Sequence, residues 1–202
     1  MKQVKFSENL KNIPIRAFSN CGFTEIHIMS NWESIGQGAF SNCSKLENVY
    51  FDDGFNLNIS SQMFWQCTSL KKVSIPSGVK SVETNAFSWC TNLTTITFEG
   101  ATTYFSSLAY GSCPNFRTIR GYDCSRVKMY YDSLTKEQKG KLTFESLGEG
   151  KHQFTAEKVQ IKEPTCTEKG SKAYRCEICG EIQNEEEIPA YGHKWNNGVI
   201  TK

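Results

Sequence analysis

Nowhere in its 202 residues does the chain carry an apolar run approaching the ~20 residues that a membrane helix needs. That excludes insertion of this chain into a bilayer by a helix. Charge of one sign is missing too. Twenty-three Lys and Arg face 21 Asp and Glu, for a net charge of +2. Without a basic stripe to meet a phosphate backbone, nucleic acid is not an expected partner. Met1 to Leu10 is polar and mixed in charge, and lacks the apolar stretch of a signal peptide. The protein is then either intracellular or a piece of something longer. No phosphate-binding loop, dinucleotide fingerprint or hydrolase elbow is present. Histidine is scarce, with His27, His152 and His193 the whole supply. No catalytic residue is assigned, and the chain reads as a non-enzyme.

Cysteine, by contrast, is plentiful. Nine cysteines are an odd number, so a disulfide framework would leave one over. Five of them mark a period: Cys21, Cys43, Cys67, Cys90 and Cys113 are separated by 22, 24, 23 and 23 residues. Each closes a similar phrase. Ala17-Phe18-Ser19-Asn20-Cys21 recurs as Ala39-Phe40-Ser41-Asn42-Cys43 and as Ala86-Phe87-Ser88-Trp89-Cys90, with looser copies ending at Cys67 and Cys113. Apolar residues follow at fixed offsets, as in Leu70, Val73 and Ile75, or Leu93, Ile96 and Phe98. Alternation such as Val73-Ser74-Ile75 marks a short strand with one buried face. One such strand cannot bury its own apolar side, whereas stacked turns form a parallel sheet that can. Val79 and Val82 supply the opposite wall. Each rung then offers about six inward side chains, worth roughly 1.5–3 kcal/mol apiece when fully buried. The repeat cysteines read as an inward stack of small apolar thiols, and Cys124, out of register, as a thiol of the capping region.

The phrase from Leu70 to Cys90, Leu-x-x-Val-x-Ile-Pro-x-x-Val-x-x-Val-x-x-x-Ala-Phe-x-x-Cys, resembles the BspA-like leucine-rich-repeat family. The resemblance covers residues 1–148 and departs at Phe51 to Met63, where the rung carries an insertion. It implies an exported bacterial surface protein with an adhesive or host-binding role. Val4, Phe6, Leu10, Ile13 and Ala17 match Val73, Ile75, Val79, Val82 and Ala86 in spacing, so the chain begins at a rung's strand. Thr118 to Tyr122 starts a sixth strand. Ser125 to Lys139 reads as a helix with Ser125 as N-cap and Gly140 ending it. Leu142-Thr143-Phe144 follows as a short strand, and together these close the last exposed rung.

The remaining cysteines fall beyond the solenoid, as Cys166, Cys176 and Cys179. Cys176-Glu177-Ile178-Cys179-Gly180 is a knuckle that can aim two thiolates at one tetrahedral metal, and Gly180 permits its tight turn. Cys166 gives a third ligand. The fourth is His193, which closes the module, with His152 as the alternative. Three sulfurs and an imidazole suit a structural Zn²⁺, with an extracellular disulfide or unbridged thiols as the alternative readings. His152-Gln153-Phe154 and His193-Lys194-Trp195 open similar phrases, so residues 194–202 read as the start of a next copy. This stretch resembles a module repeated in tandem in bacterial cell-surface proteins. Glu185-Glu186-Glu187 reads as a solvated strand face.

The sequence therefore predicts a mainly β protein: a leucine-rich-repeat solenoid of about six rungs with a capping helix (1–148), then a small zinc-ribbon-like β module (149–193). The expected function is a non-catalytic cell-surface or extracellular protein recognising a protein or glycan. The alternative is an intracellular scaffold whose docking module is held by structural zinc. Candidate contact residues are His27, Tyr50 and Arg120, outward on the concave sheet beside Ser74 and Thr97, and the tryptophans Trp65 and Trp89. The two tryptophans occupy turn positions that other copies give mostly to Ser, Asn or Gly. On adjacent rungs they can form an exposed aromatic pair, or fold back as lids over the core edge.

Overall fold

The computed structural model describes residues 4–192. They divide into two compact units, with the boundary between Lys151 and His152.

In the first unit, short strands alternate between two walls. One wall is made by β1 (Asn12–Ile13) with later partners, and the main wall begins with β2 (Glu25–Ile28). They continue as β3 (Ser34–Ile35), β4 (Asn48–Phe51), β5 (Lys72–Ile75), β6 (Ser81–Val82), β7 (Thr95–Phe98), β8 (Tyr104–Phe105) and β9 (Thr118–Gly121). All pairings are parallel: β2 with β4, then β5, β7 and β9 in order, with β1–β3 and β6–β8 on the other wall. The period-two pattern sets which side chains enter. Ile26 and Ile28, Val73 and Ile75, and Ile96 and Phe98 are buried. The residues between them, His27, Ser74 and Thr97, point away from the core. Parallel register without helical crossovers is the geometry of a solenoid.

The Ala-Phe-x-x-Cys phrase forms the edge between the walls. Phe18, Phe40, Phe64 and Phe87 stack in a file, with centroids 5.6, 5.9 and 5.5 Å apart and nearly parallel rings. Beside it runs a ladder of thiols. Cys43 Sγ donates to the Phe18 carbonyl at 3.2 Å, Cys67 to Phe40 at 3.3 Å, Cys90 to Phe64 at 3.1 Å and Cys113 to Phe87 at 3.1 Å. The cysteines are thus more than small apolar fillers. Each satisfies a carbonyl of the preceding rung that a methyl group would leave without that donor. None of the five repeat cysteines is in a disulfide. Burial drives Cys67 and Cys90 well above the usual thiol range and pushes Cys43 and Cys113 up to about 11.

The insertion after β4 interrupts the main sheet, since no ladder joins β4 to β5. The other wall absorbs it: Phe55 and Ile59 are fully buried, and Ile59 bridges Val82 in parallel. At the far end the expected helix is two, α1 (Arg126–Ser133) and α2 (Lys136–Lys139). Ser125 caps the first, as read from sequence, accepting the Lys128 N–H at 3.2 Å. Leu134 turns extended, and Thr135 opens α2 with a capping box closed by Gln138. A Thr followed three residues later by Gln competes for a new helix start and wins over continuation. After α2, β10 (Thr143–Ser146) pairs with β9 and completes the sheet.

The second unit is a three-stranded antiparallel sheet of β11 (Val159–Lys162), β12 (Gly170–Arg175) and β13 (Ile182–Ile188). Its buried hydrophobic residues, among those described, are Ala173, Cys176 and Ile178. The acidic run on β13 lies exposed and pairs with lysines, Lys158 and Lys172 reaching Glu186 and Lys169 reaching Glu187.

Candidate functional site

The knuckle sits at the end of β12. Cys176 N–H donates to the Glu181 carbonyl at 2.7 Å, and Gly180 N–H returns to the Cys176 carbonyl at 2.9 Å. Gly180 takes φ 79°, a left-handed turn suited to glycine. The upstream segment runs antiparallel alongside: Phe154 bridges Cys176, Glu177 N–H donates to the Gln153 carbonyl and Thr155 N–H to that of Arg175. This pairing delivers His152 to the knuckle, its Nδ1 3.4 Å from Cys179 Sγ. The candidate ligand atoms of His152, Cys176 and Cys179 lie within 4.8 Å of one another, close enough to hold one metal ion.

The surroundings favour the anionic, metal-binding form. Burial raises the Cys176 thiol, but N–H groups of Cys179, Ile178 and Gln153, together with His152, outweigh it and bring the thiol down to about 6. On its other side, His152 Nε2 lies 3.5 Å from a Glu181 carboxylate oxygen. A carboxylate behind the imidazole fixes ring orientation, as it does for metal-ligating histidines in general. Glu181 was not singled out by sequence reasoning. Its signal was its place directly after the knuckle glycine.

Two sequence-predicted ligands, Cys176 and Cys179, thus come together with the alternative histidine, His152. Cys166 is exposed and stands outside the group. It lies in a turn whose carbonyls, those of Thr165 and Cys166, accept from Tyr191 and Gly192. His193 lies outside the described residues.

On the solenoid, the outward row is in register. His27 pairs with Tyr50, their rings stacked 4.9 Å apart, and Ser74, Thr97 and Arg120 follow across β5, β7 and β9. Arg120 forms an ion pair with Glu145 at 3.0 Å, and Ser74 donates to Glu99 at 2.6 Å. Of these, His27 and Tyr50 are the exposed ring pair. Trp65 and Trp89 line separate cavities. Trp65 is part-buried in a polar one with Arg16, Asn20 and Asn42 of earlier rungs. Trp89 is half exposed beside the following rung and the cap. Among the described residues, no helix is long and apolar enough to cross a membrane.

A family model described as BspA type leucine-rich-repeat region matches in six copies across residues 1–121. No curated protein matches. A leucine-rich cell surface protein from Faecalibacterium prausnitzii A2-165 aligns with 72% of this chain and 36% of its own, at 23% identity and a TM-score of 0.55. The chain thus spans about a third of that protein's length, and at this identity the likeness speaks for the fold alone. A leucine-rich-repeat protein of T. pallidum aligns with 55% of this chain and 51% of its own, at 24% identity and a TM-score of 0.48.

Proposed function

The chain belongs to the BspA type leucine-rich-repeat family, whose repeats fill residues 1–121, and on that premise we propose that it is a non-catalytic binding protein of a bacterial cell surface. Its ligand is a protein or a glycan. The observation that carries this reading is the exposed His27–Tyr50 stack on the outer face of the main sheet. Both rings stand away from the core, on a rigid parallel ladder, where aromatic side chains supply contact area at low entropic cost. A family of binding proteins and the printed name of the F. prausnitzii relative both support a surface role. Beads coated with the chain should adhere to surfaces carrying extracellular-matrix proteins or glycans. A His27→Ala/Tyr50→Ala double variant should lose most of that adhesion at an unchanged melting temperature. Undiminished adhesion of the double variant would remove the main-sheet face from the reading.

The second unit serves this function as a folded spacer held by structural zinc. His152, Cys176 and Cys179 supply three of the four positions of a tetrahedral centre. The buried hydrophobic residues among those described, Ala173, Cys176 and Ile178, are a small core for a sheet of this size, and metal binding is the usual remedy. Protein purified without added metal should carry near-stoichiometric zinc. Cys176→Ser and His152→Ala should each lose it, whereas Cys166→Ser should keep it. Zinc lost with Cys166→Ser and kept with His152→Ala would restore the ligand set expected from sequence.

A second reading, an intracellular interaction scaffold, is favoured by one observation. The five repeat cysteines carry no disulfide, as a reducing compartment would maintain. Protease shaving of intact cells separates the two readings, since only a surface protein is cleaved.

A further inference from the structure

The turn positions before Cys90 and Cys113 break the repeat pattern in complementary ways. The residue just before each repeat cysteine is left-handed: Asn20, Asn42, Gln66, Trp89 and Ser112 have φ between 58° and 64°. Asparagine suits that conformation, and tryptophan is among the residues least suited to it. Trp89 nevertheless sits there, half exposed. One rung on, Gly111 occupies the place held by Ser19, Ser41, Trp65 and Ser88 in the other copies. A Cβ on Gly111 would come within 3.2 Å of Ser88 Oγ, and Gly111 and Trp89 line the same groove.

The result is a groove of about 870 Å³. Its apolar floor includes Tyr110, Phe116 and Leu142, and Trp89 forms one bank. Arg117 and Lys141 border it, and no Asp or Glu lines it among the described residues. The Arg117 guanidinium is held by a hydrogen bond from Nη1 to the Phe116 carbonyl at 2.8 Å. Lys141 pairs with Glu137 at 3.2 Å, but both side chains are largely exposed, so a ligand carboxylate can compete for the ammonium.

We propose that this groove binds an acidic polysaccharide, with a uronate sugar stacked on Trp89 and its carboxylate held by Arg117. The inference rests on the reading of the chain as a binding protein and names a ligand class for a second surface of it. Three features select a sugar. A flat indole face matches the C–H face of a pyranose, as aromatic side chains match apolar faces generally. Hydroxyl and amide groups around the bank, including Thr91, Ser112 and Gln138, match the equatorial hydroxyls of a sugar ring. The cations Arg117 and Lys141 on the border, the latter exposed and only loosely paired with Glu137, select an anionic sugar over a neutral one, and a guanidinium can grip a carboxylate through two parallel N–H bonds. An acidic peptide would meet the same charges, but its affinity would come from apolar anchors in closed pockets, and this groove is open.

Calorimetric titration of the full chain with tetragalacturonate tests the proposal, with galactotetraose and a hexaglutamate peptide as controls. Tetragalacturonate should bind about tenfold or more tighter than either control, the scale of one lost charge-assisted contact. Trp89→Ala, Arg117→Gln and Gly111→Ser should each weaken it by about tenfold, the scale of one lost stacking or charge contact. Gly111→Ser guards against a folding artefact, because serine stands at that place in three other rungs. Equal binding of galactotetraose overturns the role of charge, and equal binding of hexaglutamate overturns the sugar. Absence of tetragalacturonate binding, or binding unmoved by all three variants, overturns the site. Adhesion lost through His27 and Tyr50, with tetragalacturonate binding absent or unmoved by the groove variants, would leave the main-sheet reading standing while this one falls.

Discussion

The thiol at the end of each Ala-Phe phrase meets two demands: a small apolar volume and one hydrogen-bond donor to the rung before it. Serine would donate more strongly but at a higher desolvation cost, and alanine would not donate at all. A pH dependence follows from burial. Cys43 and Cys113 are pushed up from 9.0 to about 11, so between those values the unfolded chain gives up protons that the native chain retains. With fewer protons bound when unfolded, stability falls as pH rises. This contribution is fully present below pH 9 and is lost through about 11. Urea melts at pH 8, 9, 10 and 11 should show the decline, with a shallower slope in Cys113→Ser; an identical slope in the variant would contradict this origin. Trp89 carries a different residue-scale cost. Its left-handed backbone is disfavoured by roughly 1–2 kcal/mol relative to a residue at ease there. Trp89→Asn, matching Asn20 and Asn42, should raise stability by about 1 kcal/mol in denaturant titration. A loss of comparable size would show that the indole is held by packing instead.

Among the elements, the inserted rung between β4 and β5 is the least regular, yet its inward residues are as deeply buried as any. Ile59 is fully buried and bridges Val82, taking the wall position that the sequence register left unassigned. Ile59→Ala should therefore cost about 2–4 kcal/mol, the price of a core cavity. His27→Ala, on the outer face of β2, should change stability by less than about 0.5 kcal/mol. Equal effects of the two substitutions, measured by chemical denaturation, would mean that the insertion is a loop hanging from the wall. The paired cap helices show the same interplay of local and global forces. Thr135 and Gln138 spell a helix start inside a stretch whose overall composition reads as one helix.

The molecule as a whole divides into units that hold themselves together differently. The first has a continuous core running from Ile13 to Leu142, with stacked phenylalanines along it. The second has little core and a metal-ready knuckle. A strong chelator applied to the full chain should make the segment from His152 onward sensitive to protease. The main unfolding transition, that of the solenoid, should move by no more than a few degrees, as expected when a small ligand-linked unit is separately stabilised. Loss of the solenoid transition on chelation would show that both units depend on the same metal.

What the sequence determined was whatever repeats. Ala-Phe-x-x-Cys, the alternating strands and the apolar offsets recur in register, and repetition turns weak local signals into a fold, because each rung must bury the next one's face. The inward and outward assignments of Ile26, His27 and Ile28 followed from period two alone. The Ser125 cap was legible because N-capping is a local contact. The knuckle of Cys176 and Cys179 was legible for the same reason. What the tertiary structure decided was whatever depends on distance between residues far apart in the chain. The pairing of Phe154 with Cys176 brings His152 to the knuckle, and Cys166, although nearer in sequence, turns to the surface. The thiol-to-carbonyl ladder spans 25 to 27 residues per contact. The separation of Trp65 from Trp89 depends on which neighbouring rung each indole leans toward. Spacing along a chain constrains which residues share a rung; the direction a side chain takes from a turn is set by the backbone angles and neighbours that only folding supplies.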